Sequence, residues 1–291
     1  MTDFDYHAPA TLDELLALRE RHGAQAALLA GGTDLLVQLK EGQRRPSRVI
    51  DLKHVPGLAD WHCDARGLRI GAATTTRALE ASPALRRDYA GLAEAVTHFA
   101  SIQVRHRATV VGNVCRASPS ADTLPPLIAD GAVIELCSRR RGAREVALED
   151  YCSGPGRTAL AEDEVALALH LPPPPPGTGK AYIKHGRRIE MELATVGVAV
   201  TLTRDGDFCR ALRIVLAAVA PTPLRVPQAE ALLAGRELTP AAIAAAADAA
   251  AAAARPIGDV RGSAAYRREM VRVLTRRAIE SAAQRAQEVT P

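Results

Sequence analysis

The chain has 291 residues, of which 47% are apolar and 24% charged, and its formal net charge is +4. That length suffices for two or three modest globular domains, and the arginines, spread along the chain without interleaved aromatic residues, do not indicate a nucleic-acid surface. No apolar run approaches the roughly 20 residues of a membrane helix, and the first residues lack the order of a signal peptide, so we expect a cytoplasmic protein without a membrane span.

The N-terminal segment predicts alternating helices and strands. TLDELLALRERHG predicts a helix that is capped by Thr11, with Glu14 three residues on, and that ends at Gly23. AALLAGG predicts a short buried strand, TDLLVQLKEG a helix, and RVIDLKHVPGL a second strand ending at a Pro-Gly turn. This order is typical of a βαβ-like unit in which Gly31 and Gly32 follow the first strand.

The middle of the chain predicts a different succession of elements. GLRIGAATTTRALEAS predicts a strand, a threonine-rich cap and a helix, and ALRRDYAGLAEAVTHFAS predicts one longer helix. VRHRATVVGNVCRASPSADTLPPLIADGAVIEL then predicts a glycine turn, a loop of small residues, a helix and a strand. The basic run RRRGAR, from Arg139 to Arg144, is typical of a solvated turn between strands, with a docking patch as the alternative.

A proline run separates this part from the rest of the chain. The segment from Leu171 to Lys180, LPPPPPGTGK, is incompatible with a helix or a central strand and indicates a domain boundary or a stiff connector. Beyond it, alternating segments predict an antiparallel sheet. A helix capped by Thr239 and closed by Pro256 follows, and a last helix ends the chain. The sequence therefore predicts an α+β protein of at least two domains.

The residues that commonly bind metals or catalyse reactions form no recognisable motif. The five cysteines form no CxxC pair, so neither a zinc site nor a cysteine-held iron–sulfur cluster is indicated, and we expect reduced thiols. No HExxH motif and no pair of catalytic carboxylates is present. We therefore assign no catalytic residue and no metal ligand to this chain.

Two glycine-bearing segments are candidates for ligand binding. In AGGTD, from Ala30 to Asp34, successive N–H groups at a strand-to-helix turn can bind an anion, although a plain turn is the alternative. In TVVGNVCRASPSADT, Gly112 and Asn113 tolerate left-handed backbone angles, and the small polar residues after them suit a hydroxyl-rich or phosphate-bearing ligand. The alternative there is a surface loop with an Asx-type helix cap. Neither segment matches a Rossmann or P-loop motif.

Taken together, these segments strongly resemble one family. LLAGGTDLLVQLKEGQRRPSRVIDLKHVPGL, LRIGAATTTRALEAS, the segment from SIQVRHRATVVGNVC to IADGAVIEL, YIKHGRRIEMELATVGVAV, VLAAVAPTPLRV and DVRGSAAYRREMV occur in the order found in the FAD-binding medium subunit of the molybdenum hydroxylases. That family includes xanthine dehydrogenase, carbon monoxide dehydrogenase and 4-hydroxybenzoyl-CoA reductase. The resemblance covers nearly the whole chain.

The resemblance implies a fold and a set of domains. It implies an α+β chain with a two-subdomain FAD-binding fold of the vanillyl-alcohol-oxidase type, followed by a smaller α+β domain with a β-sheet and helices. The corresponding limits are residues 1–58 and 59–175 for the two FAD-binding subdomains and 176–291 for the C-terminal domain. The cysteine-rich insert of the benzoyl-CoA branch is absent, because no companion cysteines follow Cys115 nearby.

The resemblance also implies which residues bind FAD. One set would surround the diphosphate: Ala30, Gly31, Gly32, Thr33, Asp34 and Leu35. A second set would line the other phosphate and the ribityl side: Thr109, Gly112, Asn113, Ser118, Asp122 and Thr123. Val111 replaces the first glycine of the family's T-[IV]-G-G-N pattern, which implies an altered loop there. Tyr182 and Lys184 match flavin-side positions, where a cation would stabilise the reduced flavin; a surface lysine on a strand is the alternative for Lys184.

The function implied is electron transfer within a larger enzyme. A large subunit would hold the molybdopterin cofactor, and a small subunit would hold two [2Fe–2S] clusters. This chain would hold FAD, which would pass electrons to NAD⁺, a quinone or O₂ as the external acceptor. The assembly would be a dimer of heterotrimers. Two alternatives remain open at this point. One is a self-sufficient flavin oxidoreductase resembling UDP-N-acetylenolpyruvylglucosamine reductase, and the other is a non-catalytic scaffold that has lost FAD.

Overall fold

The computed structural model describes residues 3–188 and 190–288. Its first elements are β1 (Asp5–His7), α1 (Leu12–His22), β2 (Ala26–Leu29), α2 (Leu35–Lys40) and β3 (Arg48–Asp51). Strand β3 lies between β1 and β2 and is parallel to both, so the predicted βαβ-like unit is confirmed. Thr11 caps α1 as predicted, because its hydroxyl accepts a hydrogen bond from the Glu14 N–H.

The strand predicted up to the Pro-Gly turn is shorter than expected. Strand β3 ends at Asp51, whose carboxylate accepts a hydrogen bond of 3.0 Å from the Lys53 N–H and so closes an Asx turn. Strand β1 was not predicted from the sequence.

The next block contains a five-stranded antiparallel sheet and a layer of short helices. Its strands are β4 (Trp61–Asp64), β5 (Gly67–Gly71), β6 (Val133–Ser138), β7 (Gly142–Ala147) and β10 (Val165–Leu171). They lie in the order β4-β5-β10-β6-β7. Strands β8 (Cys152–Gly154) and β9 (Arg157–Thr158) form a separate pair. The helices are α3 (Thr76–Glu80), α4 (Pro83–Asp88), α5 (Ala90–His98), α6 (Ile102–Arg105), α7 (Val110–Arg116), α8 (Leu124–Ala129) and α9 (Leu148–Tyr151). Of the basic run predicted as a turn, Arg139 to Arg141 join β6 to β7, whereas Gly142 to Arg144 already belong to β7.

One long helix was predicted where the chain forms two. Tyr89 has non-helical backbone angles and separates α4 from α5. Its side chain is fully buried, donates a hydrogen bond to the Pro172 carbonyl at 2.9 Å, and lies under the Lys180 ammonium. These tertiary contacts outweigh the local helix propensity of the segment.

The second glycine segment also differs from the prediction. Gly112 is not in a turn but in helix α7, whose N-cap Thr109 accepts a hydrogen bond of 3.0 Å from the Gly112 N–H. The left-handed residue is instead Ala117, with φ of 48°, at the C-cap of that helix. The alternative of an Asx-type cap on a surface loop is wrong as well, because Asp122 is buried and α8 has no side-chain cap.

The last part of the chain is a sheet covered by two long helices. Strands β11 (Thr178–His185), β12 (Val196–Asp205), β13 (Phe208–Ala217) and β14 (Leu224–Arg225) form an antiparallel sheet in that order, as predicted. The helices are α10 (Pro227–Glu230), α11 (Pro240–Ala253), capped by Thr239, and α12 (Ala264–Glu288). Residues 172–177 of the proline run lie outside helices and strands, and Thr178–Lys180 begin the edge strand β11.

The buried apolar residues form two large clusters. The first runs from Leu15 to Leu171 and adds Tyr182, Ala199 and Val215 from the C-terminal sheet. The second runs from Ala181 to Ala286. The two cores therefore meet along β11, β12 and β13. The domain limits at residues 58/59 and 175/176 remain a proposal.

Glu164, just before β10, fixes the start of this strand to β7 and to the loop that precedes it. Its carboxylate accepts hydrogen bonds from Arg144 Nε and Nη2 at 2.6 and 2.8 Å and from the Ala161 N–H at 2.9 Å. The Arg144 hydrogen bonds hold the pKa of Glu164 below its ordinary value, although burial of the carboxyl opposes them. A carboxylate with a lowered pKa stabilises the fold above its unfolded-state pKa, and this stability is lost as the pH falls through the folded-state pKa.

We expect Glu164→Gln to lower the free energy of unfolding at pH 7 by roughly 1–2 kcal/mol, a value reduced by the solvent exposure of Arg144. The difference from the unmodified protein should shrink as the pH falls below about 4, where the unfolded-state carboxyl becomes protonated, and should vanish below the lower folded-state pKa, where the carboxyl is protonated in both states. Thermal unfolding at several pH values measures this, with the exposed Glu145→Gln on β7 as a control. A pH-independent difference would contradict the assignment of an ionic contact.

Candidate functional site

A cleft of about 430 Å³ lies between the turn after β2 and the start of α7, a volume within the range of small-molecule sites. It brings together the predicted residues Ala30, Gly31, Gly32, Thr33, Asp34, Leu35, Thr109, Gly112 and Asn113. The two glycine segments, far apart in sequence, thus form the walls of one site. An ion pair between Arg116 Nε and Asp34 Oδ1, at 3.3 Å, joins these walls.

The first glycine permits a close approach within the chain itself. A Cβ atom on Gly31 would lie 2.0 Å from the Arg107 carbonyl oxygen and 2.9 Å from the Ala108 Cα atom. Any side chain at this position would therefore push the two walls of the cleft apart. Gly31 is explained by packing, whether or not a ligand is bound.

The second glycine has a different cause. Gly32 has φ of 77°, a left-handed conformation that glycine adopts without a Cβ penalty. Within residues 3–188 and 190–288, the backbone N–H groups of residues 31 to 35 donate no hydrogen bond. The side chain of the N-cap residue Asp34 does not cap the helix either. Successive free N–H groups of this kind form an anion-binding concavity.

The opposite wall is built by the capped start of α7. A Cβ atom on Gly112 would lie 2.6 Å from the Thr109 hydroxyl oxygen, so any side chain there would crowd the cap. Val111, in place of a glycine, is buried in the main core while also lining the cleft. Its side chain is therefore accommodated by the fold.

The other predicted residues form a second cluster next to the cleft. Asp122 is buried, and its two carboxylate oxygens accept hydrogen bonds from the Tyr182 hydroxyl at 2.9 Å and from Lys184 Nζ at 2.8 Å. The Thr123 hydroxyl donates to Asn113 Oδ1 at 2.7 Å, which links this cluster to the cleft wall. Ser118 lies outside both groups of contacts, and its hydroxyl accepts a hydrogen bond from the Ser120 N–H.

This cluster holds a buried positive charge. The Lys184 side chain is only 6% exposed, so the alternative of a surface lysine is wrong. Burial raises the pKa of Asp122, while the Lys184 charge and the hydrogen bonds from Lys184 and Tyr182 oppose that rise. Burial, together with the neighbouring Asp122, raises the pKa of Tyr182 well above its ordinary value. The tyrosine is therefore a neutral donor that orients the carboxylate.

Several residues of the cleft could not be identified from the sequence. They come from elements that only the fold brings together: Arg19, Gln38, Arg44, Phe99, Cys115, Arg116, Gly156 and Leu160. Cys115 and Arg116 lie in the second predicted segment, but a turn was expected there, and the helix that puts Arg116 on the same face as Gly112 was not. Burial raises the pKa of the Cys115 thiol to about 11, so this cysteine is protonated at neutral pH and is a poor nucleophile.

No helix within residues 3–188 and 190–288 is long and apolar enough to cross a membrane. In the same part of the chain, no group of three or more histidine, cysteine or carboxylate side chains is arranged to hold a metal ion.

Comparisons with known proteins agree with this geometry. Residues 2–174 match the model of the FAD binding domain in molybdopterin dehydrogenase, and residues 180–282 match that of the CO dehydrogenase flavoprotein C-terminal domain. The carbon monoxide dehydrogenase medium chain of Hydrogenophaga pseudoflava is 36% identical, over 96% of each chain. The putative xanthine dehydrogenase FAD-binding subunit of Escherichia coli is 33% identical, over 97% of each chain.

A solved structure extends this similarity to three dimensions. The carbon monoxide dehydrogenase of Hydrogenophaga pseudoflava that lacks the Mo-pyranopterin moiety matches with a TM-score of 0.93 and 37% identity, over 98% of each chain. The predicted fold class and the FAD-binding domain are thereby confirmed. The chain belongs to the FAD-binding medium subunits of the molybdenum hydroxylases, the oxidoreductases that include carbon monoxide dehydrogenase and xanthine dehydrogenase.

Proposed function

We propose that this chain carries electrons from the [2Fe–2S] clusters of a partner subunit to an external acceptor, through FAD held in the cleft. The observation that carries this proposal is the row of N–H groups from Gly31 to Leu35, which have no hydrogen-bond partner in residues 3–188 and 190–288. The FAD diphosphate supplies the anion that such a concavity binds. The family assignment supports FAD as the occupant.

The chemistry of the surrounding residues fits this cofactor. The cleft is lined partly by apolar side chains, including Leu28, Leu52 and Leu160, which suit the apolar faces of a dinucleotide. Asn113 of the cleft wall is bonded to Thr123, which follows Asp122 in the chain. The Lys184 cation is paired with Asp122, and we propose that it lies on the flavin side of the cofactor. The residues proposed to bind FAD thus include N–H groups for its diphosphate and one cation for its ring.

When bound, FAD accepts two electrons and passes them on, and the protein supplies binding, orientation and electrostatics. The N–H groups of Gly31–Leu35 fix the diphosphate. Lys184, held by Asp122, favours negative charge on a neighbouring group. No residue of this chain is needed as a general base, because substrate oxidation is proposed to occur at a molybdopterin cofactor on a large subunit.

The proposed assembly is a dimer of heterotrimers with one molybdenum subunit and one [2Fe–2S] subunit for each copy of this chain. Relatives named as a medium chain and as an FAD-binding subunit support a multi-subunit enzyme, and the copy number is part of the proposal. NAD⁺, a quinone or O₂ is the proposed acceptor.

The first experiment is a visible absorption spectrum of the purified chain, followed by identification of the flavin released on denaturation. We expect flavin bands and one FAD per chain. A colourless protein that takes up no added FAD, alone or when co-expressed with molybdenum and [2Fe–2S] subunits, would contradict the proposal and favour the scaffold. FAD uptake only on co-expression would instead indicate that assembly completes the site. An FAD-containing chain that forms no complex with those subunits would favour the self-sufficient reductase.

A further inference from the structure

The strand that carries Tyr182 and Lys184 has another strand on one side only. Strand β11 pairs with β12, so that Tyr182 lies opposite Ala199 and Lys184 lies opposite Gly197. Its outer side has no strand partner in the part of the chain that the structure describes. Backbone N–H and C=O groups that leave water must be paired, so the outer edge of β11 requires partners other than a strand.

Two side chains that lie 191 positions apart supply these partners. The Glu94 carboxylate on α5 accepts a hydrogen bond of 2.7 Å from the Tyr182 N–H. Arg285 Nη1, in the last turn of α12, donates a hydrogen bond of 2.7 Å to the Lys180 carbonyl. Arg285 Nη2 also donates to the second Glu94 oxygen at 2.5 Å. We call this ion pair of Glu94 and Arg285 the clamp, because it holds the edge of β11 from two helices.

Helix α5 contacts β11 at two points with matching spacing. Glu94 and His98 lie four positions apart and so on one face of α5. Glu94 holds the Tyr182 N–H, and the His98 carbonyl accepts a hydrogen bond of 3.2 Å from Lys184 Nζ. Four residues of a helix rise by about 6 Å, and two residues of a strand by about 7 Å, so the two contacts are in register. A shift of β11 along α5 would disturb both contacts together.

The end of α12 is packed closely against the start of β11. A Cβ atom on Gly179 would collide with the Ala282 carbonyl oxygen, so the strand and the helix approach each other as only glycine allows. Arg285 lies three positions after Ala282 and thus near the same face of α12. Lys180, next to Gly179, is buried, and its Nζ lies 3.1 Å from Asp130 Oδ1. The clamp therefore lies at a place where β11 is held from both sides.

We propose that Glu94 and Arg285 are positioning residues for Lys184: by fixing the edge of β11 they hold the Lys184 ammonium at the proposed flavin and so raise the reduction potential of that flavin. This inference rests on the proposed function, because it takes Lys184 to face the flavin. A nearby cation stabilises the negative charge of the reduced flavin. Coulomb attraction falls with distance, so a strand that moves would weaken this stabilisation. Both residues of the clamp act through Lys184.

The first test measures the reduction midpoint potential of FAD in this chain, alone or in the assembled enzyme, whichever contains FAD. We expect Glu94→Ala and Arg285→Met to retain FAD and each to lower the preference for reduced over oxidised flavin about ten-fold, which is about 30 mV for a two-electron couple. Arg285→Lys keeps the charge and should restore most of the potential. Arg272→Met is the matched control, because it removes another α12 arginine, one that pairs with Asp248 at 2.7 Å, and it should leave the potential unchanged.

A double-mutant cycle tests whether the clamp acts through Lys184. Lys184→Met alone should lower the potential by more than either clamp variant, because it removes the cation itself. In the Lys184→Met background, Glu94→Ala should have no further effect on the potential. A general loss of stability would not give this pattern, since it would lower the thermal midpoint in both backgrounds.

Hydrogen exchange of the flavin-free chain tests the clamp without the cofactor. The Tyr182 amide should exchange at least about ten-fold faster in Glu94→Ala than in the unmodified chain, whereas Arg272→Met should not change its rate. An unchanged exchange rate, an unchanged potential in both clamp variants, or additive shifts in the cycle would reject the inference. An equal shift in the Arg272 control would reject it as well. Failure of the proposed function has a different signature: the unmodified chain would contain no FAD in any form, which would overturn this inference with it.

Discussion

Replacing Gly32 by aspartate is expected to abolish FAD binding while leaving the fold intact. The left-handed backbone at this position, with φ of 77°, is one that aspartate tolerates better than most residues. The atoms nearest to an added Cβ are the Leu29 and Leu36 methyl groups, at 3.0 and 3.2 Å, and these are ends of flexible side chains. The main effect is therefore a negative charge introduced beside the proposed diphosphate.

The size of this effect follows from electrostatics. A like charge about 4 Å from a phosphate costs roughly 4 kcal/mol at the effective dielectric constant of a protein surface, which corresponds to about a 1,000-fold loss of affinity. Gly32→Asn is the matched control, because it has the same shape and backbone preference without the charge. We expect it to weaken FAD binding by no more than about ten-fold.

Titration of the flavin-free protein with FAD, followed by flavin fluorescence, measures both variants. Full FAD binding by Gly32→Asp would show that this turn does not hold the diphosphate. Equal losses in the aspartate and asparagine variants would mean that shape, and not charge, decides binding there.

Much of the fold could be predicted because its signals are local. Thr11 and Thr239 cap their helices through contacts three residues away, and the strand–glycine–helix order around Gly31 and Gly32 is a feature of neighbouring residues. The break at Tyr89 could not be predicted, since it depends on Pro172 and Lys180, which lie in a distant part of the chain.

The candidate site shows the same division. Both glycine segments could be found from their composition, but Gly112 was assigned to a turn because glycine is far commoner there than at the capped start of a helix. The contact between Asp122 and Lys184 joins residues 62 positions apart, and only the packing of β11 against the first core creates it. No sequence pattern could identify Arg19 or Arg44 as cleft residues, because each lies in an ordinary helical or loop context.

Replacing Gly31 by alanine is expected to have the opposite pattern from Gly32→Asp, since it should damage the fold itself. The added Cβ would meet the Arg107 carbonyl oxygen at 2.0 Å, and this oxygen belongs to the backbone and cannot rotate away, so the walls of the cleft must separate. Overpacking of this kind costs roughly 3 kcal/mol, which for a chain of this length lowers the thermal midpoint by about 5 °C.

Thermal unfolding and FAD titration of the same samples distinguish the roles of the two glycines. Gly91→Ala is the control for Gly31→Ala, because its added Cβ also faces a backbone atom of another segment, Ala181 C, but at an ordinary contact distance of 3.4 Å. It should leave the midpoint unchanged or raise it, since alanine favours the helix in which Gly91 lies. If Gly31→Ala unfolds at the same temperature as the unmodified chain, the close approach of the two loops is not needed for stability. If it loses stability and FAD together while Gly32→Asp loses FAD alone, the first glycine serves packing and the second serves the ligand.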